Sequence, residues 1–432
     1  MRIDLTRRWS QVLFCAVVLA LASILAFFGG KVWLAEHWNA SSRPGLWAKA
    51  AELEPGNAQY WSHLGSYKQW ALDHGNVQEA VRDLERATRT DPRSADLWMR
   101  LADAYEAEGK PNRAQAAYAK AQADYPMSAE VAWRYGSFFL YEGKFAPGYA
   151  EIKRALLVEP ALATSAVAEC WQANPHVDAL LQQALPAQSA YYLPAIDYFL
   201  SRQLLDPALA VWNRQIALGL PVKMPQAIPL VNALIGQNRM DEAQRTWKQA
   251  LRATNWPRNR DRGGSLIFNG GFEHTIVNGG FGWREYPGND VRIATDSHVA
   301  HSGSRSLRIE FGGKTNLNFQ NVFQLVPVQP RMHYHFSAYV RTKRISTGHG
   351  IRFEISDPRH PSAVQILTPN MTGTNPWTRV QADVTTGAKT DLLEIALRRL
   401  PTWKFDNKIR GTVWVDDVAL VPAKSSARGS AK

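Results

Sequence analysis

Residues 98–126 read WMRLADAYEAEGKPNRAQAAYAKAQADYP, and this stretch decides the fold of the first half of the chain. Apolar residues recur in it every three or four positions, which places them on one face of each of two helices. Large residues facing small ones predict an antiparallel pair packed ridge into groove. Gly109 lies in the turn between the two helices. The residues expected to pack are Trp98, Leu101 and Tyr105 on the first helix, Ala114, Tyr118 and Ala121 on the second, and Pro126 at the end of the pair.

The same pattern recurs along the chain. Pro92, Pro126 and Pro160 lie 34 residues apart, and each follows a similar apolar pattern. An upstream copy opens at Trp61, with an inter-helix turn at residues 73–76 that is about three residues longer than the pattern. The register resembles that of the tetratricopeptide repeat and departs from it only at Ala102, where glycine is usual. The resemblance implies an α-solenoid that binds a protein partner.

The domain organisation follows from changes in periodicity. Helical spacing persists to about residue 255 and gives way to alternation with period two beyond a polar stretch punctuated by Gly and Pro. We therefore expect a multidomain α and β chain, in which a transmembrane helix precedes an all-α solenoid and an all-β jelly-roll sandwich. The expected segments are a cytoplasmic N-terminus at 1–8, a transmembrane helix at 9–33, a solenoid resembling tetratricopeptide repeats at 44–255, a linker at 256–264, a carbohydrate-binding-like β-sandwich at 265–423 and a disordered tail at 424–432.

The transmembrane prediction rests on the apolar run at residues 12–28. Arg7 and Arg8 precede this run and only Lys31 closely follows it, so the positive-inside rule places the N-terminus in the cytoplasm. The expected location is the inner (cytoplasmic) membrane, with a single pass and the bulk of the chain periplasmic or otherwise extracytoplasmic. A cleavable signal peptide is the alternative, although no Ala-x-Ala site stands at the right place. The two cysteines, Cys15 and Cys170, form no disulfide framework.

The last 160 or so residues carry short alternating segments at 306–311, 333–340, 351–355 and 413–420, as is typical of a β-sandwich. Four motifs stand there in order. They are NGGFE at 269–273, Gly282 with Trp283, HSGSRSL at 301–307 and VDDVAL at 415–420. Together they resemble carbohydrate-binding modules of the galactose-binding-like jelly-roll class. The resemblance implies a sandwich that binds glycan.

The resemblance also implies a structural calcium ion, held by Glu273 and by Asp416 or Asp417. Alternation would place Asp416 on an apolar face with Trp414 and Val418, where a carboxylate is costly unless it is paired or bound to metal. Carboxylate and carbonyl oxygens are the ligands that calcium prefers. In the alternative, Asp416 accepts backbone hydrogen bonds or pairs with an arginine, without an ion. Both readings remain open.

Aromatic side chains are the candidate sugar contacts, because ring faces stack on pyranose rings while polar groups fix their orientation. For Trp283, as for Trp414, a place in the core is the competing interpretation. We expect the histidines at 298, 301, 333 and 335 to be satisfied locally and not to bind metal. The candidate carbohydrate-binding residues are Trp283, Tyr286, Trp377, Trp403 and Phe405.

Charge narrows the choice of ligand. Residues 257–432 contain 24 Lys and Arg against 14 Asp and Glu, which accounts for most of the net charge of +12. A basic sandwich near a membrane indicates glycan or another anionic envelope polymer as its partner, and an extracytoplasmic location argues against nucleic acid. An excess of lysine and arginine that serves only solubility is the plain alternative.

No catalytic constellation stands out in the sequence, which contains no Gly-x-Ser-x-Gly, phosphate-binding loop or His-Glu-x-x-His. We therefore expect a non-enzymatic, membrane-anchored scaffold. Its solenoid would bind a protein and its sandwich a glycan, in cell-envelope or exopolysaccharide assembly or export. The alternative is an accessory subunit, or a hydrolase acting on polysaccharide through residues that the sequence does not reveal.

Overall fold

The computed structural model describes residues 8–71, 76–256 and 264–423. The chain divides into two compact units, Met1–Tyr198 and Phe199–Lys432, and this division falls inside the predicted solenoid. Several predicted features lie outside the described residues: the N-terminal segment through Arg7, most of the enlarged turn at 73–76, most of the linker and the tail after residue 423. The fold class is confirmed, since an apolar helix, a helical repeat region and a β-sandwich follow one another.

The first unit begins with one long apolar helix, α1 (Arg8–Asn39). Its most apolar 18-residue window has a mean hydropathy of 2.7, and the protein buries none of it. By length and composition the helix could span a membrane. It continues to Asn39, beyond the predicted end of the span at residue 33. Near this end Ala35 is buried against the first repeat helices, and Lys31 pairs with Glu54 at 3.2 Å.

Helical pairs follow in the predicted register. Several begin at a capping residue whose side chain accepts an N–H from the first turn, as Ser94 and Ser128 do. Gly109 and Gly143 take φ of +74° and +72° in the turns within two of the pairs. The helices are α2 (Pro44–Leu53), α3 (Ala58–Trp70), α4 (Val77–Thr90), α5 (Ala95–Ala107), α6 (Pro111–Asp124), α7 (Ala129–Tyr141), α8 (Phe145–Val158), α9 (Ala163–Ala173), α10 (Val177–Ala179, continued by a π-turn to Ala184), α11 (Ser189–Ser201), α12 (Leu205–Ala217), α13 (Met224–Gly236) and α14 (Met240–Ala253).

The predicted packing residues of the central repeat fall into two groups. Trp98 is half-buried and donates its ring N–H to the carbonyl of Pro92, whereas Pro126 is exposed in the turn after α6. Pro126 therefore ends the helix pair and takes no part in its packing. The other five are buried in one cluster, namely Leu101, Tyr105, Ala114, Tyr118 and Ala121.

In the flanking repeats, a glycine lets the two helices of a pair approach each other closely. A Cβ at Gly65 would stand 2.8 Å from Leu84 Cγ, and one at Gly136 would stand 2.9 Å from Ile152 Cδ1. Such distances lie well inside van der Waals contact, so any larger residue would push the helices apart. Ala102, the departure from the repeat pattern, is fully buried at the corresponding position of the central repeat.

The second unit contains α12–α14 and a sandwich of two five-stranded antiparallel sheets. The first sheet has the order β1-β4-β9-β6-β7, and the second has the order β2-β3-β10-β5-β8. Alternate residues of both sheets form one apolar core between them. The strands are β1 (Trp283–Glu285), β2 (Val291–Asp296), β3 (Ser306–Gly312), β4 (Phe319–Pro327), β5 (His333–Ile345), β6 (Arg352–Ser356), β7 (Gln365–Leu367), β8 (Gly373–Thr385), β9 (Leu392–Arg399) and β10 (Arg410–Pro422).

A bulge in β10 corrects the predicted alternation of this strand. The pairing of β10 with β5 shifts between Asp416 and Ala419, and Asp417 takes a left-handed φ of +49°. The extra residue reverses the phase of the strand, because side chains alternate with a period of two. Val418 therefore belongs to the core cluster, whereas Trp414 and Asp416 do not. The prediction that these three share one face was wrong.

Within the second unit, the pair α13–α14 packs directly on the sandwich. Trp247 of α14 meets the ring of Phe268 edge to face at 5.3 Å. Asn232 of α13 accepts hydrogen bonds from the Gly280 backbone at 2.9 Å and from the Arg284 guanidinium at 3.0 Å. Arg359, between β6 and β7, donates to the carbonyl of Ile235 at 2.8 Å. These helices and the sandwich thus share apolar and polar contacts within one compact unit.

We predict that Tyr118→Ala destabilises the first unit by about 3–5 kcal/mol, as other large-to-small core changes do. Tyr118 is 3% exposed and stacks on Tyr135 at 5.5 Å. Denaturant unfolding measures the change. Tyr141→Ala is the control, because Tyr141 is 86% exposed and its loss should cost less than about 0.5 kcal/mol. A loss below about 1 kcal/mol for Tyr118→Ala would show that the tyrosine stripe is not core.

A second prediction concerns the contact between α14 and the sandwich. Gly280 has φ +55°, and a Cβ there would stand 2.4 Å from Trp247. We expect Gly280→Ala to cost about 2–4 kcal/mol in unfolding free energy, from left-handed backbone strain and from the collision. Gly373→Ala is the matched control, because Gly373 has φ +67° with nothing within 4 Å, and only the backbone term of about 1–2 kcal/mol should appear. Equal losses for the two variants would mean that the contact is dispensable.

Candidate functional site

The three acids predicted to bind calcium converge on one loop, residues 301–305. Asp416 is fully buried, and its Oδ2 accepts the backbone N–H groups of His301 at 2.8 Å and Ser302 at 3.1 Å. Asp417 contacts the ring Nδ1 of His301 at 2.6 Å and accepts the hydroxyl of Ser302 at 2.7 Å. The bulge makes both contacts possible, because it presents two successive carboxylates of β10 to the same loop.

Glu273 holds the other side of this loop. One carboxylate oxygen accepts the N–H groups of Ser304 at 2.8 Å and Arg305 at 3.1 Å, and the other accepts the Ser304 hydroxyl at 2.6 Å. Burial opposes ionisation, but these donors hold the pKa of Glu273 below its usual value. Burial raises the pKa of Asp416 to about 6, because the backbone N–H groups of Ser302, His301 and Asp417 offset only part of the lost hydration.

This geometry fits hydrogen-bond acceptors. N–H or O–H groups of the loop serve all three carboxylates, which is the alternative that the sequence left open for Asp416. Among residues 8–71, 76–256 and 264–423, no group of three or more His, Cys, Asp and Glu side chains is arranged to hold a metal ion. A calcium ion at these oxygens would therefore compete with protein donors.

The predicted sugar-contact residues do not form one platform. Trp283 is 1% exposed in the core and lies 5.2 Å from the Phe272 ring, so its face is not available to a ligand. Tyr286 is half-exposed just after β1 of the first sheet, whereas Trp377 is half-buried on β8 of the second sheet. Trp403 and Phe405 protrude from the connection between β9 and β10. Trp283 is thus a core residue, and the other four lie in three separate places.

One predicted aromatic does belong to a cluster. His301 stacks on Tyr339 with ring centroids 3.6 Å apart, and Trp377 meets His301 edge-on at 5.6 Å. Asp417 fixes the orientation of His301. Tyr339 was not among the residues predicted for the site, and His301 was expected only to be satisfied locally. The signal for Tyr339 was its alternation with the core residues of β5, which leaves it on the outer face of the second sheet.

Cations flank this cluster on the same sheet face. Arg379 lies opposite Tyr339 across the β5–β8 pairing, and Arg341 follows two residues along β5. The Arg341 guanidinium lies over the Trp414 ring at 5.6 Å, and Arg379 is exposed. We call this surface the basic–aromatic patch, and define it by His301, Tyr339, Arg341, Trp377 and Arg379.

The first unit has a separate candidate site, a cavity of about 440 Å³. Asp103 in its wall accepts the Tyr118 hydroxyl at 2.7 Å and pairs with Arg134 at 3.0 Å. Burial raises the pKa values of three carboxyl groups of the cavity, Asp103, Glu106 and Glu169. The cavity is thus both acidic and aromatic, and it is lined by Asp103, Glu106, Tyr118, Trp133, Arg134, Ser137, Phe138, Tyr141 and Glu169.

Comparisons with known proteins found similarity to a curated protein and to solved structures. A segment of 84 residues is 32% identical to the type IV pilus assembly protein PilF of Pseudomonas aeruginosa. It covers 19% of this chain and 33% of that protein, so the chain spans about a third of this curated relative. A solved structure described as "CBM4 structure and function" is 16% identical and covers 36% of this chain and 99% of its own, with a TM-score of 0.27. The crystal structure of MamA protein is 19% identical and covers 46% and 92%, with a TM-score of 0.24.

Family models match within both structural parts. Residues 71–132 match the tetratricopeptide repeat, and residues 264–399 match the model described as carbohydrate binding domain. The two resemblances noted in the sequence are therefore confirmed. The first segment falls on the helical repeats and the second on the β-sandwich. The chain combines a tetratricopeptide-repeat region with a domain of the carbohydrate-binding type, after one helix that is long and apolar enough to span a membrane.

Proposed function

We propose that this chain is a non-enzymatic, membrane-anchored scaffold in which the β-sandwich binds an acidic glycan and the solenoid binds a protein. The observation that carries the proposal is the basic–aromatic patch on a domain of the carbohydrate-binding type. Aromatic rings offer stacking surfaces for sugar rings, and guanidinium groups bind carboxylates in a planar, bidentate manner. A polymer of uronic acids presents a sugar ring and a carboxylate at every residue.

Charge on the second sheet supports an anionic ligand over a neutral one. Arg341, Lys343 and Arg379 form no ion pair with any residue that the structure describes. Unpaired cations on an ordered face attract polyanions, and this attraction weakens with salt. Two acids near this face already have hydrogen-bond partners on the protein. Asp296 accepts the ring N–H of Trp414 at 2.9 Å, and Asp417 contacts the ring Nδ1 of His301.

The solenoid partner follows from the acidic cavity of the first unit. Arg134 is the cation among the residues that line the cavity, and Arg100 also acts on Asp103, so the described cations near the cavity are outnumbered by its three half-buried carboxyl groups. A basic side chain on a partner protein would complete the charge balance, while Trp133 and Tyr141 cover its aliphatic part. We therefore propose a protein ligand with an exposed lysine or arginine segment.

We further propose that the chain is anchored in the inner membrane. The apolar helix α1 and the arginine at its start support a single pass through the inner membrane, with the N-terminus in the cytoplasm. The solenoid and the sandwich would then lie outside the cytoplasm, where envelope polysaccharide is assembled or exported. An accessory role beside a polysaccharide hydrolase, or a hydrolase activity of this chain, is the alternative, because a domain of the carbohydrate-binding type also suits such enzymes.

We predict that the full chain in detergent binds a polyuronate more tightly than neutral dextran. Binding should weaken as ionic strength rises from about 0.01 M to 0.15 M, because the screening length falls from about 30 Å to 8 Å. Trp377→Ala and the pair Arg341→Gln with Arg379→Gln should each lower the affinity about tenfold or more, as loss of a central contact does. Calorimetry measures the affinity.

Arg331→Gln is the control for this experiment, since Arg331 is an exposed cation just before β5, at the far end of that strand from Arg341. The Arg331→Gln variant should bind polyuronate with the same affinity as the unmodified chain. Equal affinities for all variants would remove the patch from the binding site. Release of sugar from the polymer during the measurement would favour the hydrolase alternative.

Structural calcium at Glu273 and Asp416 or Asp417 is a separate proposal, and a melting experiment tests it. A bound ion stabilises the folded form by about 2.7 kcal/mol at a hundredfold excess over its dissociation constant. The second unit should then melt at a higher temperature in calcium than in chelator, and Glu273→Gln should shrink the difference. Glu310→Gln, which changes an acid on β3 outside the loop, should leave it unchanged. Equal melting in calcium and chelator would leave the three acids as hydrogen-bond acceptors only.

A further inference from the structure

The connection between β9 and β10, residues 400–409, carries two of the most exposed aromatic side chains in the part of the chain that the structure describes. Trp403 is 102% exposed and Phe405 is 106% exposed, relative to a fully exposed residue of the same type. Neither ring therefore packs on the protein. We call residues 400–409 the aromatic loop. Two such rings on one loop are costly in water, so their exposure calls for an apolar partner.

The base of the aromatic loop is held firmly. Arg399, fully buried at its start, donates to Asn316 Oδ1 at 2.8 Å and to the carbonyl of Asn407 at 2.6 Å. Thr402 exchanges backbone hydrogen bonds with the side chain of Asn316, at 3.2 Å and 2.9 Å. Ile409 is fully buried at the other end. The two rings are thus presented by a braced loop, which lowers the entropy lost on binding.

Cationic residues are neighbours of the two rings in the sequence. Lys404 stands between Trp403 and Phe405, and Lys408 lies three residues beyond Phe405. Arg410 follows the loop as the first residue of β10, and a Cβ at Gly313, the residue before Lys314, would stand 2.9 Å from Arg410 Cβ. None of the side chains of these lysines and Arg410 forms an ion pair with a residue in the described ranges. The loop's one acid, Asp406, accepts the N–H of Gly348 at 3.0 Å.

The shape of this surface distinguishes between ligands. Sugar sites are concave and place polar groups at the edge of a ring face. The aromatic loop is convex, since both rings have their whole surface in water. Tryptophan and phenylalanine beside lysines match the membrane interface, where rings enter the headgroup region and cations meet anionic lipid. The helix α1 would keep a bilayer within reach of the chain.

We propose that the aromatic loop inserts into an anionic phospholipid surface, giving the β-sandwich its own contact with the membrane. This contact is independent of the basic–aromatic patch, so it stands or falls separately from glycan binding. It rests on the membrane anchoring proposed above only for the proximity of a bilayer. Sugar contact by Trp403 and Phe405, predicted from the sequence, becomes an outcome of the test.

The test uses the full chain reconstituted into vesicles of phosphatidylcholine, with or without phosphatidylglycerol, that contain brominated lipid. Bromine quenches only tryptophans within the bilayer. The Trp403 signal is obtained by subtracting the fluorescence of Trp403→Ala from that of the unmodified chain. Quenching of Trp9 and Trp33 on α1 is the same in both samples and therefore cancels. We expect this difference signal to be quenched in the anionic vesicles. Phe405→Ala, and Lys404→Glu with Lys408→Glu, should lower the ratio of inserted to free loop about tenfold, which corresponds to about 1.4 kcal/mol.

Trp70→Ala is the control, because Trp70 is another strongly exposed tryptophan, at 74%, and lies outside the aromatic loop. Its difference signal should be insensitive to brominated lipid. The proposal is overturned if the Trp403 signal is equally insensitive in anionic vesicles. It is also overturned if soluble polyuronate, and not lipid, shields Trp403 from acrylamide, since the loop would then be a glycan contact. Unchanged melting temperatures of all variants confirm that these exposed substitutions leave the fold intact.

Discussion

The second unit depends on the pairing of its last strand at the centre of a sheet. β10 lies between β3 and β5, so the end of the sequence closes a sheet that earlier strands began. The start of the domain is fixed to the same strand, because Leu266 donates to the carbonyl of Leu420 at 2.8 Å and Val418 donates to that of Gly270 at 2.9 Å. The two carboxylates at the bulge then hold the loop that carries His301. The basic–aromatic patch therefore exists only once both ends of the domain have met on one strand.

Helices and sheets in the second unit are less separable than their order along the chain suggests. The glycines at 279 and 280 look like ordinary turn residues in the sequence, yet they admit side chains of α13 and α14 to the sandwich. Asn232 serves a backbone N–H and a guanidinium at once. Local periodicity assigns these helices to the repeats, and only the tertiary contacts show that they also pack on the sheets.

The sequence predicted features that depend on local periodicity, and it failed where a single residue changes the phase or the surroundings. The 34-residue register located the helix pairs, since each pair repeats the same spacing of large and small residues. Alternation located the strands, but the left-handed backbone at Asp417 has no signature in the pattern. His301 reads as a loop residue, because its partners Asp417 and Tyr339 are more than a hundred and nearly forty residues away along the chain. Trp283 and Trp403 both stand beside polar residues in the sequence, yet Trp283 is buried in the core and Trp403 is fully exposed.

The packing of α13 and α14 on the sandwich has a mechanical consequence. If a long polymer held by the second sheet is pulled, the force need not pass along the covalent connection between α14 and the sandwich. Arg359, Asn232 and Trp247 bridge the same two parts at separate points. Several contacts loaded in parallel share tension, whereas a single strand of backbone bears all of it. The sandwich would then transmit force to α13 and α14 through several contacts at once, with little relative movement between the two parts.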